Sequence, residues 1–504
     1  MKRPHIAVVI ALGVILAAGG TWWWLGHRTV NYAGRTWHDQ VIYMIMTDRF
    51  ADGDPGNDQG TNRLNPHAFH GGDLQGIIDH LDYLQQLGVT AIWITPVYLN
   101  PPGGYHGYWP TDFYKVDPHF GDLGTLKELV RQAHARGVRV LLDMVLNHTA
   151  PSHPWRSDPT KYDWYHHLGT ITDYGDPVQV VNGDLAGLPD LNQDNSQTFD
   201  YLLRMGEWWI DQTHADGFRL DAARHISRTF WQKYATIIHK RYPGFFLIGE
   251  VWVDSPFAIA PYQEDGLDGA MDFPLYNAIT AGFAQGQGRG PLVGALRLRS
   301  AYPDVQNMGV FIDNHDVPRF VTQAENAGGD AHARLRAALA FALTVPGVPI
   351  IYYGTEVALP GGPDPDNRRD MVFGQDPALT QYVHDLIALR RANPALWGKE
   401  LDVLPSDGQT LAYLRVADSQ SSGAAGVSGA GPSPAGPSQA PPGLAVVVFN
   451  LSDRAASVSV DLTNTKAAGT VAFRDALGGG DYTAQGSTLS LNLPAWGAAV
   501  LLPH

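Results

Sequence analysis

Carboxylic acids lie at the ends of several short apolar segments of this sequence, and arginine and histidine accompany them. A single carboxylate in such a place has an ordinary explanation, because it can cap a helix or pair with a surface cation. A recurring set is harder to explain in that way, since a buried charge without a partner costs on the order of several kcal/mol. The set comprises Asp48 with Arg49, Asp143 with Asn147 and His148, Arg219 with Asp221, Glu250, and His315 with Asp316.

Two carboxyl groups, one ionised and one protonated, are what the cleavage of a glycosidic bond requires. Asp221 suits the ionised role, because Arg219 projects from the same side of a strand and its charge favours the carboxylate. Glu250 suits the protonated role, because the apolar residues on both sides of it would raise its pKa. Asp316 is a third carboxylate that could stabilise a positively charged transition state. This pattern therefore predicts glycosidase chemistry.

These side chains can act together only if the fold brings the segment ends to one place. Between residues 35 and 396, eight short apolar segments alternate for the most part with helical patterns, which predicts an α/β fold of the (β/α)8 TIM-barrel type. In such a barrel the C-terminal ends of the strands converge on one site. A doubly wound sheet is the alternative, but no glycine-rich dinucleotide-binding loop follows the first segment. The predicted strands are Val41–Met46, Ala91–Thr95, Val138–Val145, Gly217–Asp221, Phe245–Val251, Gly269–Phe273, Gly309–Ile312 and Pro349–Tyr353.

Two further regions depart from the alternating pattern. Residues 149–195 are rich in aromatic residues, aspartate, proline and glycine, and predict a subdomain inserted after the third strand. From residue 400 to residue 504, short segments of alternating hydrophobicity predict a C-terminal antiparallel β-sandwich. Within it, residues 419–443 are mainly serine, glycine, alanine and proline, which predicts a disordered insertion between two strands.

Residues 1–30 carry the features of a signal peptide or a membrane anchor. Lys2 and Arg3 precede an apolar run from Ile6 to Gly20, and the small residues that end this run could form a cleavage site. Three tryptophans then lengthen the apolar stretch until it could span a bilayer, which needs roughly 20 residues. Both alternatives remain open. Either one places the rest of the chain outside the cytoplasm, secreted or in the cell envelope.

The overall composition excludes several classes of function. With 35 lysines and arginines against 50 aspartates and glutamates, the net charge of −15 repels phosphate backbones, so we expect no nucleic acid partner. The 504 residues include no cysteine, which excludes disulfides, thiolate metal sites and cysteine nucleophiles. Metal ions are then the obvious means of stabilising an exported protein. We expect the protein to be a monomer.

Four segments in order along the chain resemble the four signature regions of the α-amylase family, glycoside hydrolase family 13, and another resembles its fifth region. Their order and their positions on the predicted strands match the family, and the resemblance covers about residues 35–394. Among the family's members, the sequence is similar to bacterial α-amylases, maltodextrin hydrolases and cyclodextrin glucanotransferases. The segments are Asp143–His148, Gly217–His225, Gly249–Trp252, Phe311–Asp316 and Leu188–Asn192.

The resemblance implies a role for each matching residue. Asp221 would be the nucleophile, Glu250 the general acid/base and Asp316 the transition-state stabiliser of a retaining enzyme that cleaves α-1,4-linked glucans such as starch and maltodextrins. Arg224 and His225 would contact the glucan beyond the cleaved bond. The other residues that match the family's substrate contacts are Tyr108, His148, Arg219, His315, Asp364 and Arg368.

The resemblance also implies one or two Ca²⁺ ions. The central ion would be held by Asn147, Asp190 and the main-chain carbonyl of His225, which are hard oxygen donors of the kind that calcium prefers. A further segment is similar to a second site of cyclodextrin glucanotransferases and related amylases. By itself such a cluster usually marks a turn, so this prediction depends on the family context. Its ligands would be Asp52, Asp54, Asn57, Asp58, Gly71 and Asp73.

The resemblance leaves the reaction outcome partly open. Ala222 after the nucleophile, with Arg224 and His225, resembles the α-1,4-specific pattern. Cyclodextrin glucanotransferases carry a central aromatic residue where this sequence has Ala186, which favours hydrolysis over cyclisation. A transglycosylase or an exo-acting maltooligosaccharide-forming enzyme is the nearest alternative. A non-catalytic family member or a glucan-binding protein is also conceivable, but the presence of all three carboxylates argues against both.

Overall fold

The computed structural model describes residues 32, 34–406, 408–418 and 443–504. The predictions for residues 1–30 therefore lie outside the described residues, as do those for residues 419–443 except Gly443. Within the described ranges, no helix combines the length and the apolar character that crossing a membrane requires.

A parallel barrel forms the centre of the molecule. In chain order the strands of this part are β1 (Ile42–Ile45), β2 (Ala91–Ile94), β3 (Tyr98–Leu99), β4 (Asp112–Val116), β5 (Arg139–Met144), β6 (Gly217–Leu220), β7 (Phe246–Gly249), β8 (Gly269–Ala270), β9 (Gly309–Val310) and β10 (Val348–Tyr352). All of them except the antiparallel pair β3 and β4 form one parallel sheet, in the order β8-β7-β6-β5-β2-β1-β10-β9. A parallel bridge between Met271 and Gly309 joins the two ends of this sheet.

The eight predicted barrel strands are confirmed, and all of them except the last, Val348–Tyr352, are shorter than predicted. Barrel strands are covered on both faces, so they occur as continuous apolar runs that are easily recognised. The predicted strand Gly269–Phe273 ends at Ala270, because the side chain of Asp272 caps the helix that begins at Phe273. The predicted strand Gly309–Ile312 likewise ends at Val310.

Helices cover the outside of the barrel and follow most of its strands. Side chains of aspartate, asparagine or serine cap several of their N-termini, for example Asp122, Asn195 and Ser227. The helices are Thr47–Phe50, Leu74–Asp79, Leu81–Leu87, Leu123–Ala135, Pro177–Asn182, Ser196–Thr213, Arg228–Arg241, Pro256–Glu264, Phe273–Ile279, Arg289–Leu298, Phe320–Ala327, Ala331–Thr344 and Pro377–Ala392.

The segment between β5 and the helix Ser196–Thr213 lies beside the mouth of the barrel. Its regular structure consists of short helical turns and the helix Pro177–Asn182. An antiparallel bridge between His148 and Asp190 ties the end of this segment to the residues that follow β5. The segment therefore folds back onto the C-terminal end of the barrel.

Antiparallel sheets make up the C-terminal part. A six-stranded sheet has the order β11-β12-β13-β18-β15-β16, and β14 pairs with β17. The edge strands β11 and β16 and the last strand, β18, were not predicted. The strands are β11 (Glu400–Val403), β12 (Thr410–Val416), β13 (Leu444–Asn450), β14 (Ala456–Asp461), β15 (Ala472–Asp475), β16 (Asp481–Thr483), β17 (Thr488–Leu493) and β18 (Ala498–Pro503).

Candidate active site

One buried guanidinium organises the carboxyl groups at the mouth of the barrel. Arg219 on β6 and Asp143 on β5 are direct neighbours across the two strands. Arg219 Nη1 donates to the two oxygens of Asp143 at 3.0 and 3.1 Å and to Asp221 at 2.7 Å. The side chain of Arg219 is 1% exposed, so salt screens these interactions much less than it would at the surface.

Glu250 follows β7 and completes the group around this guanidinium. Its Oε1 lies 2.8 Å from Arg219 Nη2, although the N–H bonds of that nitrogen are not aligned for a hydrogen bond. Its Oε2 accepts a hydrogen bond from the main-chain N–H of Ala222 at 2.9 Å. Asp221 and Glu250 thus approach different nitrogens of one guanidinium. This arrangement is compatible with the separation of about 5–5.5 Å between the carboxyl groups of retaining glycosidases.

Asp316 reaches the site from the loop after β9. Its Oδ2 lies 3.3 Å from His315 Nε2, and its Oδ1 accepts a hydrogen bond from Arg368 Nη2 at 3.3 Å. Arg368 also pairs with Asp364 at 3.1 Å and donates to the carbonyl oxygen of His315 at 2.9 Å. The side chain of Asp316 is 26% exposed, against 11% for the other two predicted catalytic carboxyl groups, so Asp316 is the most accessible of the three.

Tyr108 forms one wall of the site and is held at three points. Its hydroxyl donates to Asp143 Oδ2 at 2.8 Å, and its ring stacks on His315 with the centroids 5.2 Å apart. Its carbonyl oxygen accepts a hydrogen bond from His148 Nε2 at 3.0 Å. Trp93 on β2 donates from Nε1 to the same oxygen of Asp143 at 2.9 Å. These contacts fix the orientation of the ring before any ligand binds.

Burial raises the pKa values of the carboxyl groups around Arg219. For Glu250 this is the direction predicted from its apolar neighbours. For Asp221, burial and the nearby Glu250 and Asp143 raise the pKa well above its ordinary value, although Arg219 lowers it. Arg219 thus acts on Asp221 in the predicted direction, but burial and the two neighbouring carboxyl groups outweigh it, because one guanidinium is shared among three carboxyl groups. Proton loss from any one of these three carboxyl groups therefore affects the other two.

These groups open into a cleft of about 590 Å³. Arg219 was predicted to line it, but its side chain lies beneath the carboxyl groups and is turned towards three buried partners. The other predicted catalytic and substrate-binding residues all line the cleft, namely Tyr108, His148, Asp221, Arg224, His225, Glu250, His315, Asp316, Asp364 and Arg368.

Other residues that line the cleft were not predicted from the sequence. His106 and Trp109 flank Tyr108 in the sequence, so their proximity to a predicted contact could have identified them. Tyr174, Leu185 and Leu188 come from the segment between β5 and β6. That segment has no repeating pattern from which the orientation of its side chains could be predicted.

Two aromatic residues line the cleft from different loops. Trp252, which is 42% exposed, follows β7 and stacks on Phe273 with the ring centroids 4.8 Å apart. Tyr174, which is 48% exposed, belongs to the segment between β5 and β6. Arg224 donates to the carbonyl oxygens of Trp252 at 3.1 Å and of Tyr174 at 3.0 Å, so one side chain joins the two loops. Ala186 also lines the cleft and contributes no ring.

The barrel and the order of its strand-end residues can be compared with known proteins. Residues 44–385 match the model of the α-amylase catalytic domain. The chain belongs to the α-amylase family. It is therefore a glycoside hydrolase. The four segments that resemble the family's signature regions lie at the ends of barrel strands, as the resemblance implied.

Relatives within the α-amylase family span several activities. The beta/alpha-amylase of Paenibacillus polymyxa is 42% identical over 376 residues, which cover 71% of this chain and 31% of that longer protein. A cyclomaltodextrinase from a Bacillus species is 35% identical over 415 residues, 76% of this chain and 71% of the relative. The crystal structure of an α-amylase from Anoxybacillus superposes with a TM-score of 0.85 at 38% identity, over 93% of this chain and 99% of that one.

The three residues predicted to hold the central calcium ion lie together beside the cleft. One atom of the Asn147 side-chain amide is 2.8 Å from the carbonyl oxygen of His225 and 3.2 Å from Asp190 Oδ1. His148 Nε2 donates to Tyr108, which leaves Nδ1 of the neutral ring as an acceptor facing Asn147 Nδ2 at 3.4 Å. The amide oxygen of Asn147 then faces the other two oxygens. Three converging oxygens of this kind fit a cation.

The residues predicted for the second calcium site also lie close together. Asp73 accepts hydrogen bonds from the main-chain N–H groups of Gly53 and Asp54 and from Asn57 Nδ2, so it shapes the loop. The buried Oδ1 atoms of Asn57 and Asp58 have no hydrogen-bond partner. Asp58 also faces Gly71, where a Cβ atom would lie 2.3 Å from its Oδ1.

Buried oxygens without a hydrogen-bond partner at this second position fit a cation, because burying a polar atom without a partner costs free energy. The Asp54 carboxylate accepts a hydrogen bond from Gly56 and caps a short turn, while Asp52 pairs with Arg63. In the described part of the chain, no three Asp, Glu or His side chains form a metal-binding group by themselves. Either site would therefore depend on amide and main-chain oxygens as well as carboxylates.

Proposed function

We propose that the chain is a retaining hydrolase of α-1,4-glucosidic bonds in starch and maltodextrins, an α-amylase in the narrow sense. The observation that carries this proposal is the arrangement of Asp221 and Glu250 around Arg219, at the floor of a cleft that also contains Asp316. The names of the relatives, α-amylases and a cyclomaltodextrinase, support an α-glucan as the substrate.

The first half-reaction forms a covalent intermediate. Asp221 attacks the anomeric carbon while Glu250 gives its proton to the glycosidic oxygen, so the C–O bond breaks and the shortened glucan leaves with a new hydroxyl group. Asp316 stabilises the positive charge that develops on the sugar ring. Arg219 donates a hydrogen bond to Asp221 and none to Glu250, and therefore favours the state in which Asp221 is ionised and Glu250 carries the proton.

The second half-reaction releases the product. Glu250, now ionised, takes a proton from water, whose oxygen attacks the anomeric carbon and displaces Asp221. Two inversions return the α-configuration. The burial that raises the pKa of Glu250 suits this exchange, because the same group must give and then accept a proton near neutral pH.

Transfer to a second sugar is the competing outcome, and one observation favours it. Trp252 and Tyr174 present exposed rings to the cleft, and Arg224 fixes both loops. Flat rings bind sugar faces, so this pair would hold an acceptor glucan in the place where water must otherwise enter. The absence of a ring at Ala186 gives no support to cyclisation.

Product analysis tests the proposal and separates the two outcomes. The purified protein is incubated with soluble starch and calcium, and products are characterised by mass and by anomeric configuration. Linear maltooligosaccharides released in the α-configuration support hydrolysis, whereas elongated or cyclic products support transfer. The variant Asp221→Asn is the control, and the absence of any product from the wild type would refute the proposal.

We also propose that calcium binds at the two positions described above. Asn147, Asp190 and the carbonyl of His225 would hold the central ion, which would tie the residues after β5 to the segment beside the cleft. Asn57 and Asp58 would contribute to the second ion with their neighbours. Bound calcium would supply structural order near the cleft.

Export and a monomeric state are further proposals. The export proposal depends on the charged and apolar pattern of residues 1–30. Fractionation of cells that produce the full chain would separate a secreted protein from one anchored in the membrane. Light scattering of the purified protein would give its oligomeric state.

A further inference from the structure

Asp143 is a buried carboxyl group to which the double displacement gives no role. It lies 3.0 Å from Arg219, the same guanidinium that contacts Asp221 and Glu250. Three carboxyl groups therefore share one positive charge in a space that water barely enters. If the reaction follows the proposed function, the distribution of protons among these three groups decides whether the site is active.

The number of protons in this cluster is limited by its charge. If all three carboxyl groups were ionised, Arg219 would leave two negative charges uncompensated, and buried charges of that kind are costly. Burial raises the pKa of all three carboxyl groups, so the cluster holds a proton at a higher pH than separate exposed carboxyl groups would. The site is productive when Glu250 holds it, and unproductive when Asp143 does.

Asp143 accepts hydrogen bonds from three side chains. Arg219 donates to both of its oxygens, while Tyr108 and Trp93 both donate to Oδ2, at 2.8 and 2.9 Å. The indole of Trp93 is 1% exposed and does not line the cleft. Its ring lies 5.0 Å from the guanidinium carbon of Arg219. The indole also meets the ring of His315 edge-on, with the centroids 6.1 Å apart. Trp93 therefore influences the reaction through its buried neighbours Asp143, Arg219 and His315.

We propose that Trp93 is a positioning residue that acts through Asp143: its indole N–H holds Asp143 as the carboxylate that anchors Arg219, and so leaves the proton of the cluster on Glu250. A donor that is neutral and fixed in place stabilises an anion without adding a charge that would compete for Asp221. Tyr108 donates to Asp143 in the same way, but it also lines the cleft. A Tyr108 variant would therefore change both the hydrogen bond to Asp143 and the contact with the substrate.

The electrostatic surroundings of Asp143 support this proposal. Burial raises the pKa of Asp143 to about 6, and Arg219, Tyr108 and Trp93 each lower it through their charge or hydrogen bonds. The loss of one hydrogen-bond donor would therefore raise the pKa of Asp143 further towards neutral pH. The titratable and charged groups that face Asp143 from the surrounding strands and loops are Arg219, Tyr98, Tyr108 and Asp221, and Glu250 contacts the same guanidinium.

The test is the pH dependence of kcat/KM for Trp93→Phe, measured with calcium in excess. If Asp143 takes up the proton more readily, Glu250 loses it at a lower pH. The descending limb of the profile should then move towards acid by roughly one pH unit. Asp143→Asn, which imitates the protonated group, should move the limb in the same direction and serves as a second variant if Trp93→Phe does not fold.

Trp209→Phe is the matched control. Trp209 is also 1% exposed, and its Nε1 donates to the main-chain carbonyl of Phe113 at 2.9 Å. This variant loses a buried indole N–H of the same kind, and its pH profile should keep the wild-type limbs. An unchanged descending limb in folded Trp93→Phe would overturn the proposal, and if that variant does not fold, an unchanged limb in Asp143→Asn would overturn it.

Thermal melting gives a readout that needs no activity. The N–H of Trp93 stabilises the anion of Asp143 more than the neutral acid, since a hydrogen bond to a charged acceptor is stronger. The loss of melting temperature in Trp93→Phe should therefore be larger above about pH 6 than below it. In Trp209→Phe the loss should not depend on pH. If the wild type cleaved no α-glucan, the proposed function would fail, and melting alone would decide the role of Trp93, with a pH-independent loss overturning it.

Discussion

The substitution Arg219→Met removes the guanidinium shared by Asp143, Asp221 and Glu250, and its effect can be worked out from the distances. A unit charge about 4 Å away at an effective dielectric constant of about 20 contributes about 4 kcal/mol, and the contact between Arg219 and Asp221 is 2.7 Å. Since one pKa unit corresponds to about 1.36 kcal/mol, the pKa of Asp221 should rise by about three. At a fixed pH near neutrality, kcat/KM should fall by about 10³.

The sign of the pH effect follows from the role of Asp221. The nucleophile must be ionised, so a higher pKa moves the ascending limb of the kcat/KM profile towards alkaline pH. Stability should also fall, because removing one partner of a buried ion pair costs roughly 3–5 kcal/mol. The assay is hydrolysis of a defined maltooligosaccharide across the pH range, accompanied by melting curves at each pH.

Two controls separate charge from packing. Arg219→Lys keeps the positive charge and should show a smaller alkaline shift. Arg390→Met removes a guanidinium that is equally buried but donates to main-chain carbonyls, among them those of Leu343 and Gly347. It should destabilise the fold and leave the ascending limb in place. A wild-type ascending limb in Arg219→Met would refute the reasoning.

Three other predictions concern the nucleophile, calcium and the acceptor side. Asp221→Asn should lower kcat by several orders of magnitude without a loss of melting temperature, and near-normal turnover would contradict the assigned role. A strong chelator should lower the melting temperature of the wild type, since an ion at 100 times its Kd stabilises by about 2.7 kcal/mol, and the drop should be smaller in Asp190→Ala and in Asp58→Ala. Trp252→Ala should lower the ratio of transfer to hydrolysis products from maltotriose, and an unchanged ratio would remove the support for an acceptor platform.

The barrel could be predicted because its strands leave a strong local signal. A strand that is buried on both faces, such as β1 or β10, is a continuous apolar run bounded by polar residues. The strands β11 and β16 gave no such signal, since they lie at the edges of their sheet and are only partly buried. Their assignment depends on pairing with neighbours that are distant in the sequence.

The residue types at the strand ends can be identified from the sequence alone, and in a parallel barrel that is sufficient to place Asp221, Glu250 and Asp316 around one cleft. How charge is divided among these groups depends on contacts between strands. The spacing of two residues predicted that Arg219 lies beside Asp221, and only the neighbouring strands bring Asp143 and Glu250 to the same guanidinium. Electrostatic energy depends on distances in space, and these contacts join residues from three strands.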